Sequence, residues 1–161
     1  MPLADSCGGR LQWRCRIYDE ECGAHSLRNP RSKILHPTSD RPMDVKNLGR
    51  AQSFITMDGS EIRELLAHRN SCIRNQSLAE ARVAPGARTA PHYHRKTEEI
   101  YYILAGRGEM TINDQTQSVG PLDAIAIPPG AVHSIFNSGS EPLVFLCTCA
   151  PAYEHEDTVL V

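Results

Sequence analysis

From about residue 52 onward a turn signal interrupts the chain every few residues, and this limits it to a fold of short strands. "SFITM" ends at Asp58-Gly59 and "EIRELLAH" follows it. "SLAEARVA" stops at Pro85-Gly86, "EEIYYILA" at Gly106-Arg107-Gly108, and "GEMTI" at Asn113-Asp114. "AIAI" meets Pro128-Pro129-Gly130, "VHSIF" meets "NSGSE", and "LVFLCTC" closes the series. Gly and Asn tolerate the backbone angles of tight reversals, and Pro cannot continue a hydrogen-bonded ladder. Runs this short, so spaced, predict an all-β sandwich or barrel. "SEIRELLAHR" fits an amphipathic helix on pattern alone, but its turn-bounded neighbours favour a strand. In "PLVFLCTC", Leu143, Phe145, Cys147 and Cys149 face one way and Val144, Leu146 and Thr148 the other. A strand apolar on both faces is covered on both sides. The barrel wall supplies one cover and a second subunit the other, so a homodimer is expected.

The first part of the chain reads differently. Residues 1–42 hold no sustained period and are rich in Arg, Pro, Ser and Cys. The expected division is an irregular extension over 1–50 and a β-barrel domain over 51–161, with Met43 as an alternative start. Residues 1–50 carry 9 Lys/Arg against 6 Asp/Glu, and the remainder 8 against 13, for a total of −2. So slight a charge gives no global field for nucleic acid or an anionic membrane, and neither is expected as a partner. No apolar run approaches the roughly 20 residues of a membrane helix. "MPLADSCGGRLQWRCR" lacks the apolar block of a signal peptide, so a cytoplasmic protein is expected. Six cysteines are too sparse for a disulfide scaffold. Cys7, Cys15, Cys22 and His25 suggest a zinc knuckle but lack the paired C-x-x-C spacing. Cys147 and Cys149 share one strand face and read as small core residues.

The stretch "PHYHRKTEEIYYILAG" carries the chemistry. His92 and His94, at i and i+2, project from the same face of a strand. Glu99 follows a reversal at "RKT" and brings a carboxylate back to the same point, sharing its face with Tyr101 and Ile103. Glu98 competes for that role but points to the opposite face. "PPGAVHSIFN" supplies a third imidazole, His133, just beyond a rigid turn. Three nitrogens and a carboxylate suit a divalent first-row metal.

These residues resemble the two motifs of the cupin superfamily. Gly86, His92, His94, Glu99 and Gly106 match the first motif at every spacing. Pro128, Gly130, His133 and Asn137 match the second, whose opening Gly is replaced by Leu122. That departure touches a turn, where it puts the loop geometry in doubt, and spares the proposed ligands. The resemblance implies a double-stranded β-helix, or jelly-roll barrel, holding one divalent ion per chain through His92, His94, Glu99 and His133. Zn, Mn, Fe and Ni all fit such a set. "IPPGAVHSIFNSGSEPLVFLCTCAPAYEHEDTVLV", with Glu156 and Asp157 near its close, is similar in layout to the end of cupin-type mannose-6-phosphate isomerase domains. A metal-dependent enzyme acting on a small polar metabolite is therefore expected, with a sugar-phosphate isomerase as the leading form. A phosphate clamp would then come from Arg88, Arg95, Lys96 or Arg107. The alternatives are an Fe(II) dioxygenase and a metal-dependent binding module without catalysis. Tyr101 is the candidate catalytic side chain beside the metal.

Overall fold

The computed structural model describes residues 43–161. The possible zinc knuckle and residues 1–42 of the irregular extension expected over 1–50 lie outside the described residues, whereas 43–50 are described and include a single 3-10 turn at Leu48–Arg50. Eleven strands follow one another: β1 (Phe54–Ile55), β2 (Glu61–Leu66), β3 (Ser77–Val83), β4 (His92–His94), β5 (Glu98–Ala105), β6 (Gly108–Ile112), β7 (Gln115–Val119), β8 (Ala124–Ile127), β9 (His133–Asn137), β10 (Leu143–Ala150) and β11 (Thr158–Leu160). Two single turns of 3-10 helix, Leu48–Arg50 and His155–Asp157, complete the set, with no α-helix among the described residues. None of the helical segments there is long and apolar enough to cross a membrane.

Two antiparallel sheets result. One runs β1-β2-β3-β10-β5-β8 and the other β11-β4-β9-β6-β7. Their inner faces meet in one core. Tyr101, Ile103, Leu143 and Phe145 come from the larger sheet, and Met110, Val119 and Ile135 from the smaller. Alternation in β5 and β10 explains the division. Glu99, Tyr101 and Ile103 are buried while Glu98, Ile100, Tyr102 and Leu104 are exposed. β2 is the segment whose pattern also suited a helix. It is a strand because β3 pairs along it, with Ile62 opposite Ala81. Glu80 sits on the outward side of β3 yet is only 3% exposed. Arg82 at 2.7 Å and Arg63 at 3.5 Å flank it and compensate its charge.

The turns fix where the strands enter. Gly106 has φ +85, and a Cβ there would lie 2.7 Å from Pro142 O, so only glycine fits between β5 and the start of β10.

Candidate metal centre

Three strands bring the four residues together. His92 and His94 alternate inward on β4, and Glu99 is the second residue of β5, after the Arg95–Thr97 reversal. His133 opens β9 and pairs directly with His92 across the small sheet. All four are buried, and their ligand atoms lie within 4.8 Å of one another. His94 Nε2 is 3.3 Å and His133 Nε2 3.4 Å from Glu99 Oε2. Donors bound about 2.0–2.2 Å from a common ion stand roughly 3–3.5 Å apart, so the spacing fits.

The hydrogen bonds around the cluster give the donors their direction. A carbonyl oxygen only accepts, so His92 Nδ1 donates to Ala90 O at 2.8 Å and His133 Nδ1 to Ala131 O at 3.0 Å. Each ring then turns an unprotonated Nε2 inward. His94 Nδ1 lies 3.2 Å from Thr158 Oγ1 on β11. On the carboxylate, Cys149 Sγ donates to Glu99 Oε1 at 3.4 Å and leaves Oε2 for the interior. Glu99 Oε2 and His133 Nε2 are buried without a hydrogen-bond partner. In these tautomers both are acceptors, facing lone pair to lone pair. A cation between them relieves that repulsion. The cluster can hold a metal ion.

The electrostatics of the site follow from its burial. Burial pushes the Glu99 carboxyl up, but with a proton rather than a cation between the groups, hydrogen bonds and charge from His133 and His94 outweigh burial and hold it at about 2. Burial, with the neighbouring His133, lowers the His92 pKa and keeps its imidazole neutral, the form that ligates. Burial, then the Glu99 charge, raises the Tyr101 hydroxyl well above its usual range, so it remains a phenol. Its ring packs 4.5 Å from Phe145 and 6.1 Å from His133. It lines the cavity that opens over the cluster, and its hydroxyl bonds no described residue. Glu98 is exposed, one residue from the cluster.

The four cations considered for a phosphate clamp lie elsewhere. Arg88 stacks 5.1 Å from the Phe136 ring and reaches Ser134 Oγ at 3.3 Å. Arg95 donates to Glu156 O at 2.6 Å. Lys96 is exposed, and Arg107 borders a different surface hollow with Ser118 and Pro121. None of the four lines the cavity over the cluster. Four residues at this site escaped the sequence reading. Thr158 and Cys149 contact His94 and Glu99. Asp58 lines the cavity, and Tyr153 does too, its ring centroid 6.0 Å from that of His94. The Asp58-Gly59 turn and the i, i+2 cysteines were the only local signals.

Comparison with known proteins agrees with the architecture. The family model for the cupin domain matches residues 79–149. MJ1618 of Methanocaldococcus jannaschii, an uncharacterised protein, is 47% identical over 112 residues, spanning 70% of this chain and 90% of the relative. Among solved structures, the polyketide cyclase RemF from Streptomyces resistomycificus superposes with a TM-score of 0.65 at 25% identity, over 74% of this chain and 86% of that one. The Streptomyces nucleoside dehydratase Pac13 gives a TM-score of 0.62 at 18% identity, over 74% and 92%, a likeness of fold alone.

Proposed function

The chain belongs to the cupin superfamily, and from that premise we propose that it is a metal-dependent enzyme acting on a small organic molecule. One divalent ion per chain would be held by His92, His94, Glu99 and His133. The observation that carries this reading is the buried pair of facing acceptors, Glu99 Oε2 and His133 Nε2, 3.4 Å apart. When bound, the ion supplies Lewis acidity that polarises a ligand oxygen. The chain's own groups do the rest. Glu99 neutralises part of the cation's charge, and the carbonyls of Ala90 and Ala131 fix the His92 and His133 rings. Tyr101 holds its proton and offers the O–H into the cavity, placed to donate toward charge developing on the ligand. That free donor favours a catalytic reading over simple binding. The sugar-phosphate form of the enzyme is not carried forward, because no lysine or arginine among the described residues lines the cavity.

Elemental analysis tests the reading. Purified protein should carry about one divalent ion per chain, and a His92→Ala/His94→Ala variant should lose it, since each donor would supply part of a single coordination shell. Full occupancy in that variant would place the metal elsewhere.

A further inference from the structure

We propose that Asp58 makes this site selective for ligands whose end away from the metal is neutral or positively charged, an inference that rests on the metal reading above. The cavity has His92, His94 and Glu99 at one end and an apolar wall that includes Phe54, Met57, Ile62 and Phe145. Besides Glu99, two carboxylates among the described residues line it, Asp58 and Glu64, and they differ in what remains free.

Glu64 is fully engaged. Arg69 Nη2 donates to its Oε2 at 2.6 Å and Asn70 Nδ2 to its Oε1 at 3.3 Å. The Arg69 guanidinium is committed in turn, to Glu64, to Glu154 Oε2 at 3.3 Å and to Tyr153 O at 3.3 Å. Asp58 is only half engaged. Its Oδ1 gathers the Thr56 hydroxyl at 2.5 Å, the Ser60 hydroxyl at 2.8 Å and the Ser60 N–H at 3.1 Å. Its Oδ2 has no hydrogen-bond partner among the described residues. The loop carrying it is tied to the ligand set through one residue, Ala90. The Ala90 N–H donates to Asp58 O at 2.7 Å, while Ala90 O accepts from His92 Nδ1.

A ligand that places an oxygen on the metal therefore extends past Asp58 along an apolar wall where the described residues offer no counter-charge for an anion. An anionic tail is desolvated beside a carboxylate. A cationic one pairs with it, and a neutral one is accepted on apolar contact. At short range in a partly enclosed site, reversing the sign of one charge changes affinity by about tenfold or more.

Three catechols provide the test, because they share a chelating head and differ in tail charge: dopamine, methylcatechol and dihydroxyphenylacetate. Zn²⁺-loaded protein is titrated with each by calorimetry, without oxygen, at neutral pH. Dopamine should bind at least about tenfold more tightly than dihydroxyphenylacetate, with methylcatechol between them or level with dopamine. Asp58→Asn should keep its zinc and its methylcatechol affinity, and should shrink the dopamine preference to about threefold or less. Glu64→Gln should leave the preference intact, because that charge is already paired. The proposal is overturned if wild type binds the acid as tightly as the amine, or if no catechol binds up to millimolar concentration. It is equally overturned if the preference survives in Asp58→Asn or disappears in Glu64→Gln. Wild-type protein that takes up no zinc would instead remove the metal reading, and this inference with it.

Discussion

Glu99 Oε2 sits 3.3 and 3.4 Å from two imidazole nitrogens in a buried pocket, so its negative charge is what a cation there would gain most from. Glu99→Gln keeps the size and removes the charge, and Zn²⁺ affinity by calorimetry should fall at least about 10–100-fold. Glu98→Gln alters an exposed, solvent-screened carboxylate and should leave affinity within about threefold. Equal losses would mean that both carboxylates share the ion. Proton linkage in metal-free protein follows from the same residues. The His92 pKa is lowered by burial from 6.5, so below that pH the unfolded chain takes up a proton here before the folded chain does. Glu99 repeats this between 4.5 and about 2. Both carry the same sign, so melting temperature should drop on acidification below about pH 6.5 and again below about 4.5. A melting temperature flat from neutral pH to pH 4 would contradict the first step. The histidines were legible because a two-residue strand period sends His92 and His94 to one point. Cys149, Thr158 and Asp58 were not, because each arrives by long-range contact. Cys149 is set opposite Glu99 by the register of β10 with β5, Thr158 opposite His94 by β11 with β4, and Asp58 by the Ala90 amide.

The loop entering β8 shows how a turn constrains an element. Gly120-Pro121-Leu122-Asp123 closes with Asp123 N donating to Gly120 O at 3.1 Å, and Asp123 Oδ2 accepts from Gly120 N at 2.8 Å. Proline second and a positive φ third make this a type II turn, which favours glycine at the third position. Leu122 occupies it with φ +79. This is the position where the second cupin motif has Gly, so the turn survives the substitution and the residue carries the strain. A left-handed conformation costs an ordinary side chain about 1–2 kcal/mol, against up to about 1 kcal/mol for the extra unfolded freedom of glycine. Leu122 is 78% exposed, so its replacement loses little packing. Leu122→Gly should therefore stabilise the protein by about 0.5–1 kcal/mol, raising the melting temperature by roughly 2–5 °C. A lower melting temperature would show that the exposed side chain contributes contacts. The strands flanked by Gly, Pro and Asn were legible one by one from such punctuation. β11 was not, since three residues show no period. It is held instead by tertiary bonds, the Asp157 carboxylate accepting the backbone N–H groups of Lys96 and Thr97. That contact braces the reversal between His94 and Glu99.

The outward face of the larger sheet bears on assembly. Ile100, Tyr102 and Leu104 of β5 are 49%, 37% and 43% exposed. In register beside them stand Thr148 opposite Ile100 and Leu146 opposite Tyr102 on β10, half-buried, with Ala126 and Ala124 of β8 on the other side. The sequence showed that β10 is apolar on both faces, but nothing in one strand says how much of its second face the fold itself covers. The inner face packs in the core, and on the outer face Arg63, Glu80 and Arg82 border the apolar strip with charge. Contiguous exposed apolar surface with a charged rim is typical of a protein–protein interface. The dimer expected from the sequence thus becomes a proposal with a location, two copies meeting through β5, β8 and β10. A stable interface needs about 800 Å² from each partner, more than three side chains supply, so the small alanines and Leu146 must be buried as well. Ile100→Lys would place a charge in the centre of that patch with no carboxylate opposite it in the β10 and β8 registers. Sedimentation at micromolar concentration should give a dimer for wild type and a monomer for Ile100→Lys. Metal content should be unchanged in both, because Ile100 points away from the cluster on the opposite side of the strand from Glu99. A wild-type monomer would remove the proposal, and a variant still dimeric would move the interface to another face.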